Sequence, residues 1–215
     1  MSSAQIMLYL RVQTVFMRSN IVCASVLAML TVFGSTASGQ PLQVYPTGRP
    51  QRAGDTGSKL TAKEAEVLVA YHNNVRSEVG VAPVRWSPTL ARFAQEWADE
   101  VARTGTLVHR PREGAWRQLY GENMAWGAGG AYGVRTAAKH WYEEIKFYEP
   151  GSSIPRDFGS FKAAHYTQIV WKDTTEIGAG KAIIGKGEKQ GWTVVVCNYN
   201  PPGNIAGRKP YEPTK

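Results

Sequence analysis

Four short segments of this chain carry side chains that could do chemistry. Each places an imidazole, a carboxylate or an amide among large apolar residues, and they span residues 107–109, 120–123, 141–144 and 165–171. The ionisable groups that could converge are two histidines and two or three glutamates. Two neutral imidazoles with carboxylates beside them suit a divalent transition metal, above all zinc. Without a metal, the same groups would form histidine–glutamate ion pairs or a buried polar network that orders a cleft.

The first two predicted helices have recognisable ends. Thr61 and Glu64 form a capping box, in which the hydroxyl accepts from the Glu64 backbone and the carboxylate reaches back. This marks Thr61 as the start of order, and Gly80 ends the helix. Ser87 caps a second helix, which begins at a proline, and Gly105 closes it.

A third helix is predicted over residues 132–148, followed by strands. Its predicted buried stripe consists of Val134, Ala138, Trp141 and Ile145. A short strand is predicted at 123–126, and two β-rich runs at 177–184 and 192–199 read as a hairpin with a longer loop. Helices that come first and antiparallel strands that come late predict an α+β fold rather than a parallel α/β fold.

The chain is predicted to divide into a targeting segment, a linker and one domain. Residues 1–39 contain a positive charge, an apolar run at 21–33 and a small-residue cleavage region, which is typical of a signal peptide. The run is short for a membrane span, and an uncleaved anchor is the alternative. Residues 40–59 are predicted to be a disordered linker, and residues 60–215 a domain with a C-terminal coil tail. The protein is therefore expected to be secreted and extracellular, or periplasmic if bacterial.

Charge and cysteine content exclude several classes of protein. The whole chain has a net charge of +8, and removal of the leader, with two arginines and no acidic residue, leaves +6. The basic residues are scattered, so we expect no nucleic-acid binding, only weak attraction to anionic envelopes or glycans. Cys197 would be the one cysteine of the mature chain, so no internal disulfide is expected. Its apolar neighbours predict a buried strand position rather than a reactive thiol.

Six segments in chain order resemble motifs of the CAP superfamily, which comprises cysteine-rich secretory proteins, antigen-five venom proteins and plant pathogenesis-related class one proteins. These segments are residues 71–76, 83–87, 120–123, 141–144, 165–171 and 197–204. The resemblance covers roughly residues 60–211. It implies a three-layer α-β-α sandwich with a central antiparallel sheet.

The resemblance also implies a metal-capable cleft, with zinc or another divalent metal as the cofactor. Its residues by motif are His109, Glu122, Glu144 and His165. Glu144 rather than Glu143 matches the family's Trp-x-x-Glu, and helix geometry agrees because Glu144 lies three residues after Trp141. The carboxylates either bind the metal directly or hold the second nitrogen of each ring. Metal affinity should fall below about pH 6.5, since only a neutral imidazole binds.

The other two histidines carry different expectations. His72 lies on the inner face of the first helix and is expected to be a hydrogen-bonded core residue. His140 precedes Glu144 by one helical turn, so an i,i+4 pair between them is considered. Neither histidine matches the family motif.

An aromatic loop at 147–164 is a second candidate site. Its proposed lipid-binding residues are Phe147, Tyr148, Phe158 and Phe161. The resemblance implies sterol binding in this region for some members, and peripheral membrane contact would follow from exposed rings. The alternative is that these aromatics fill the core beneath a long loop.

One departure from the family concerns cysteine. Where many members have Gly-Cys-Gly, this chain has Gly178, Ala179 and Gly180, so Cys197 lacks its usual partner. We expect no cysteine-rich extension, so the ion-channel activity that is linked to that extension in the family is not carried over.

Three functions remain open at this stage. The first is a binding module for a sterol or other lipid with a metal-capable cleft, related to defence or host interaction and acting as a monomer or weak dimer. The second is a zinc-dependent hydrolase with Glu122 or Glu144 as general base, although no nucleophile elbow or His-Glu-x-x-His helix is present. The third is a surface-interaction protein that acts through exposed loops.

Overall fold

The computed structural model describes residues 55–212. The predicted signal peptide and most of the predicted linker lie outside the described residues. The helices are α1 (Ala62–Glu78), α2 (Pro88–Thr104), α3 (Val134–Tyr142) and α4 (Ala164–Ile169). The strands are β1 (Arg85–Trp86), β2 (Gly121–Gly127), β3 (Glu176–Ile183) and β4 (Thr193–Asn200).

The first two helices begin where their capping residues predict. Both hydrogen bonds of the Thr61–Glu64 capping box form at the start of α1. Ser87 accepts from the backbone of Leu90 at the start of α2, and Gly105 closes α2 with φ of 72°. This left-handed conformation favours glycine, which explains why α2 ends there.

The third helix is shorter than predicted and tightens at its end. Residues 143–147 form a 3-10 helix, with about three residues per turn instead of 3.6. Ile145 therefore rotates away from the core and is 36% exposed, so its place in the predicted stripe is wrong. Because residues three apart eclipse in a 3-10 helix, Glu144 keeps the side of the buried Trp141.

The four strands form one mixed sheet in the order β1-β3-β4-β2. The pairs β3–β4 and β4–β2 are antiparallel, as predicted, and β2 forms one edge. The two-residue strand β1 adds a parallel pairing at the other edge, which the expectation of an antiparallel sheet did not include. Residue 197 pairs with residue 123 on one side and residue 179 on the other.

Helices cover both faces of this sheet and complete the α-β-α sandwich. Helix α2 packs on one face, and α1, α3 and α4 lie over the core on the other. Gly178 and Gly180 let α2 approach closely, since a Cβ at Gly178 would lie 2.2 Å from the backbone nitrogen of Ala91. Each face buries its own apolar cluster.

Chain segments at both ends of the described region pack against the domain. The Trp86 indole N–H donates to the Thr56 carbonyl at 2.9 Å, and Thr56 is buried. These contacts extend the packed chain back before the predicted start of order at Thr61. The tail runs as coil, as predicted, and Ile154 donates to Arg208 in it. Among residues 55–212, no helix is long and apolar enough to cross a membrane.

Candidate functional site

His109 is held by a buried carboxylate. Its Nδ1 lies 2.8 Å from Glu122 Oε1, and the Arg110 backbone N–H donates to the same oxygen at 3.1 Å. The Glu122 side chain is fully buried, whereas the His109 side chain is 53% exposed. The carboxylate therefore anchors one edge of the ring and leaves the rest of it accessible.

His165 is held in the same way from the opposite layer. Its Nδ1 lies 2.6 Å from Glu144 Oε1, and its backbone N–H donates to Glu144 Oε2 at 2.8 Å. This carboxylate binds both the ring and the first turn of α4, where backbone N–H groups have no helical partner. Because Glu144 lies on the Trp141 side of the 3-10 helix, its carboxylate reaches both the ring nitrogen and the backbone nitrogen of His165.

These contacts fix the chemistry of both rings. A carboxylate accepts hydrogen bonds, so in each neutral imidazole Nδ1 carries the proton and Nε2 bears a lone pair. The two ring centroids are 6.4 Å apart and the planes are tilted by 33°. Both histidines line the same cleft. The pair therefore presents two lone-pair nitrogens to one space.

Consecutive residues of the edge strand β2 hold the two histidine segments together. Side chains alternate between the faces of a strand, so Glu122 points to one layer and Asn123 to the other. Glu122 binds His109, and the Asn123 amide donates to the His165 carbonyl at 3.0 Å. Sequence reasoning gave Asn123 no role, although its position next to Glu122 in a predicted strand was a usable signal.

A buried polar chain supports this arrangement from the core. His72 Nδ1 donates to the Leu68 carbonyl at 2.8 Å, and its Nε2 accepts from the Tyr199 hydroxyl at 2.9 Å. The Asn123 amide in turn donates to the Tyr199 oxygen at 3.0 Å. Burial lowers the pKa of His72 to about 4 and raises that of Tyr199 well above its usual value. The expectation of a hydrogen-bonded core histidine is confirmed.

The pair between His140 and Glu144 that the i,i+4 spacing allowed does not form. His140 Nδ1 lies 3.1 Å from the Tyr132 hydroxyl, and His140 is exposed. Glu144 instead contacts His165, because the 3-10 turn breaks the i,i+4 spacing that the pair requires.

The histidine pair lies in a cleft of about 810 Å³. Its lining also includes three arginines, amide side chains and apolar residues: Arg110, Arg112, Arg156, Gln118, Gln168, Asn204, Leu119, Pro155, Phe158 and Pro202. Among residues 55–212, no group of three or more His, Cys, Asp or Glu side chains is placed to hold a metal. Each of the two predicted glutamate ligands contacts the Nδ1 atom of one histidine. The Nε2 atom of each histidine is therefore the ring nitrogen that could bind an ion in the cleft.

The four predicted lipid-binding residues do not line one pocket. Tyr148 is buried against Tyr166 and Tyr211. Phe161 packs on the core and touches Phe158, whose ring lines the histidine cleft. Phe147 is separate and 52% exposed, with the Lys146 and Lys162 ammonium groups 5.1 and 5.9 Å from its ring.

A second cavity, a groove that is wide open to solvent, has a volume of about 670 Å³ and lies between α1, β1 and the segment at Thr56. Much of its lining is apolar and comes from Ala62, Ala65, Val69, Ala70, Val84 and Trp86. Sequence analysis missed this cavity, because short alanine side chains on a helix give no signal that a groove lies above them.

Cys197 occupies the strand position that was predicted. It is fully buried, and burial raises the pKa of its thiol to about 12. Its cross-strand partner in β3 is Ala179.

The fold and the cleft together define a class of protein: an α-β-α sandwich domain in which two histidine–glutamate pairs meet at the edge of the sheet. A family model described as "CAP: Cysteine-rich secretory protein family" matches residues 69–199. This chain belongs to the CAP family, as its six motifs imply.

Individual relatives agree with this assignment. Pathogenesis-related protein 1C of Nicotiana tabacum is 35% identical over 140 residues, which cover 65% of this chain and 76% of that protein. The pathogenesis-related protein PR-1 type of Sambucus nigra is 37% identical over 145 residues, covering 66% and 79%. The solved structure of BmVAL-1 aligns with a TM-score of 0.61 at 25% identity, covering 74% of this chain and 86% of that one.

Proposed function

We propose that this protein is an extracellular binding module whose cleft takes up a divalent metal ion, such as zinc, through Nε2 of His109 and His165. The observation that carries the proposal is the engagement of both Nδ1 atoms by carboxylates. A carboxylate on the second nitrogen is the usual partner of a metal-binding histidine, because it fixes the tautomer and makes the ring a better ligand.

The two rings are within reach of one ion. Their centroids are 6.4 Å apart, which is about the largest separation that two Zn–N bonds of about 2.0–2.1 Å and the two ring radii can span, so tetrahedral coordination would draw the rings closer together. Two protein ligands leave further positions of the ion to water or to a bound molecule. Such a site holds its metal less tightly than one with three or four protein ligands.

The contacts favour binding over hydrolysis. A zinc-dependent hydrolase would need a carboxylate free to take a proton from water. Glu122 shares Oε1 between two donors, and its Oε2 has no hydrogen-bond partner but is buried away from water. Glu144 uses both oxygens on His165. Because neither carboxylate is both unengaged and accessible to water, the hydrolase alternative has less support.

A lipid is the second candidate ligand. The apolar cavity beside α1 has the size of a small-molecule site and a lining that suits a sterol or other lipid. Phe147, exposed between two lysines, has the character of a peripheral contact with an anionic membrane surface. The names of the relatives support a role in defence, and the predicted leader supports secretion.

Native mass spectrometry of the secreted protein tests both ligands. After exposure to zinc and desalting near pH 7.5, the parent should retain one zinc ion, and the His109→Ala/His165→Ala variant should retain none. The control His140→Ala removes an exposed histidine outside the cleft and should keep the ion. Zinc retained by the double variant, or absent from the parent, would refute the metal site.

The same spectra can be compared across pH and for other masses. Because protonated imidazole does not bind metal and the reference pKa of histidine is about 6.5, zinc occupancy should fall as the pH drops below that value. A lipid mass that persists in the double variant would support the apolar cavity as an independent site.

A further inference from the structure

Each wall of the histidine cleft also contributes an arginine. Arg112 follows His109 in the loop between α2 and β2, and Arg156 precedes His165 in the loop before α4. Both arginines are exposed, and within residues 55–212 neither makes an ion pair. Of the other exposed arginines, those at 85, 103 and 208 pair with carboxylates, whereas those at 92, 117 and 135 form no ion pair within the same residues. Arg112 and Arg156 differ from these three because they line the cleft. The cleft therefore holds two guanidinium groups available to a ligand.

Arginines outnumber carboxylates in the lining of the cleft. The lining has three arginines and one carboxylate, that of Glu122, which is buried and accepts from His109 and the Arg110 backbone. The carboxylate of Glu144 contacts His165 but is not part of the lining. A concave site with an excess of positive charge attracts anions. A guanidinium also binds a carboxylate or sulfate through two parallel hydrogen bonds, so each arginine can select an anionic group.

The rest of the lining argues for a sugar chain rather than an acyl chain. A fatty acid in this cleft would cover imidazole, amide and guanidinium groups without satisfying them, which is costly. A sugar chain offers hydroxyl groups to those polar side chains. The exposed ring of Phe158, with Leu119 and two prolines, gives apolar surface for the faces of sugar rings.

We propose that this cleft binds an acidic oligosaccharide, one with carboxylate or sulfate groups, between Arg112 and Arg156 and across the two histidines. The proposal rests on the use of this cleft as a ligand site, but it does not require the metal. The volume of about 810 Å³ suits a few sugar units, and the separate walls suit a ligand with at least two anionic groups.

Titration calorimetry with three oligosaccharides of equal length tests the proposal: an oligouronate, a sulfated oligomer and a neutral oligomer. We expect the parent to bind at least one acidic oligomer and not the neutral one, with affinity falling as salt rises. The Arg112→Gln/Arg156→Gln variant should bind about tenfold or more weakly. If only one acidic oligomer binds, the proposal holds and the anionic group is identified.

A matched control separates the cleft from the overall charge. Arg85→Gln/Arg103→Gln removes the same charge from exposed residues outside the cleft and should leave the affinity unchanged. Equal weakening in both double variants, equal binding of the neutral oligomer, or tighter binding of an acidic peptide of the same charge would overturn the proposal.

The oligosaccharide and the metal can fail independently. Titrations in the presence of chelator and of zinc measure oligomer binding without and with the metal. The mass of each variant shows separately whether it retains zinc. We expect the arginine variant to keep zinc while losing the oligomer. A parent protein that binds the oligomer but takes up no zinc would refute only the metal site.

Discussion

At the scale of single residues, the partner of Nδ1 determines what each histidine can do. His72 donates to a backbone carbonyl and is sealed in the core, whereas His109 and His165 donate to carboxylates at the surface of a cleft. The sequence motifs distinguished these residues, and only the contacts explain the distinction. Burial disfavours the charged form of His72 and lowers its pKa, so this ring stays neutral in weak acid.

The His72 imidazole should make the protein less stable in acid. Its pKa is about 4 in the fold and about 6.5 when unfolded, so between these values the unfolded chain takes up a proton that the folded chain does not. The free energy of unfolding should therefore rise with pH across this window, by up to about 3 kcal/mol. Urea unfolding measured from pH 4 to pH 7.5 gives this slope.

Two comparisons identify the residue responsible. His72→Gln should show a smaller slope whatever its absolute stability, and His140→Gln, at an exposed site, should keep the parent's slope. In the parent, an NMR titration should leave His72 neutral at pH 5. A His72 ring that titrates near 6.5 in the folded protein would contradict the account.

At the scale of elements, the site depends on two departures from regular spacing. The 3-10 turn after α3 brings Glu144 to His165 and turns Ile145 outward. The alternation of an edge strand lets two consecutive residues, Glu122 and Asn123, hold segments from opposite layers. The register of the sheet therefore determines the geometry of the cleft.

The pairing register of β3 and β4 predicts that a cysteine introduced at position 179 would form a disulfide with Cys197. Ala179 and Cys197 are cross-strand partners buried on the same face, and paired antiparallel residues have Cα separations of about 4.5–5.5 Å, within the range for a disulfide. In a chain that starts at Gln40, Ala179→Cys should crosslink on oxidative refolding and stabilise the fold by about 3 kcal/mol. Thiol titration in denaturant should then find no free cysteine.

A cysteine on the other face serves as the control. Ala182→Cys lies in β3 but packs against α2, so it should leave both thiols free. Two free thiols in oxidised Ala179→Cys would mean that the register of β3 and β4 is different.

At the scale of the whole molecule, Arg76 ties the helical layer together. It is fully buried in α1 and donates to four backbone carbonyls, those of Ala82, Ile169, Trp171 and Thr174, at 2.7 to 2.9 Å. Burial lowers its pKa to about 10, which still leaves the guanidinium charged at neutral pH. One side chain thus joins α1 to the end of α4 and the turn that leads into β3.

Removal of this guanidinium should destabilise the whole domain. Arg76→Met leaves four carbonyls without their donor, at a cost of about 3 kcal/mol or more in the free energy of unfolding. Arg76→Lys should recover little, because an ammonium group cannot reproduce the planar fork. Arg85→Met, at an exposed ion pair with Glu176, should cost less than about 1 kcal/mol in the same denaturation experiment. An Arg76→Met variant as stable as Arg85→Met would contradict this role.

The sequence by itself determined the starts of the first two helices, the main strands, the family and the residues that meet in the cleft. These features depend on short-range signals, such as the Thr61 capping box and the Gly105 stop, or on motifs that stay together along the chain. The tertiary structure decided which histidine nitrogens are engaged and where apolar and charged cavities lie. His109 meets Glu122 across 13 positions and His165 meets Glu144 across 21, so their geometry is set by packing between layers, which local periodicity does not encode.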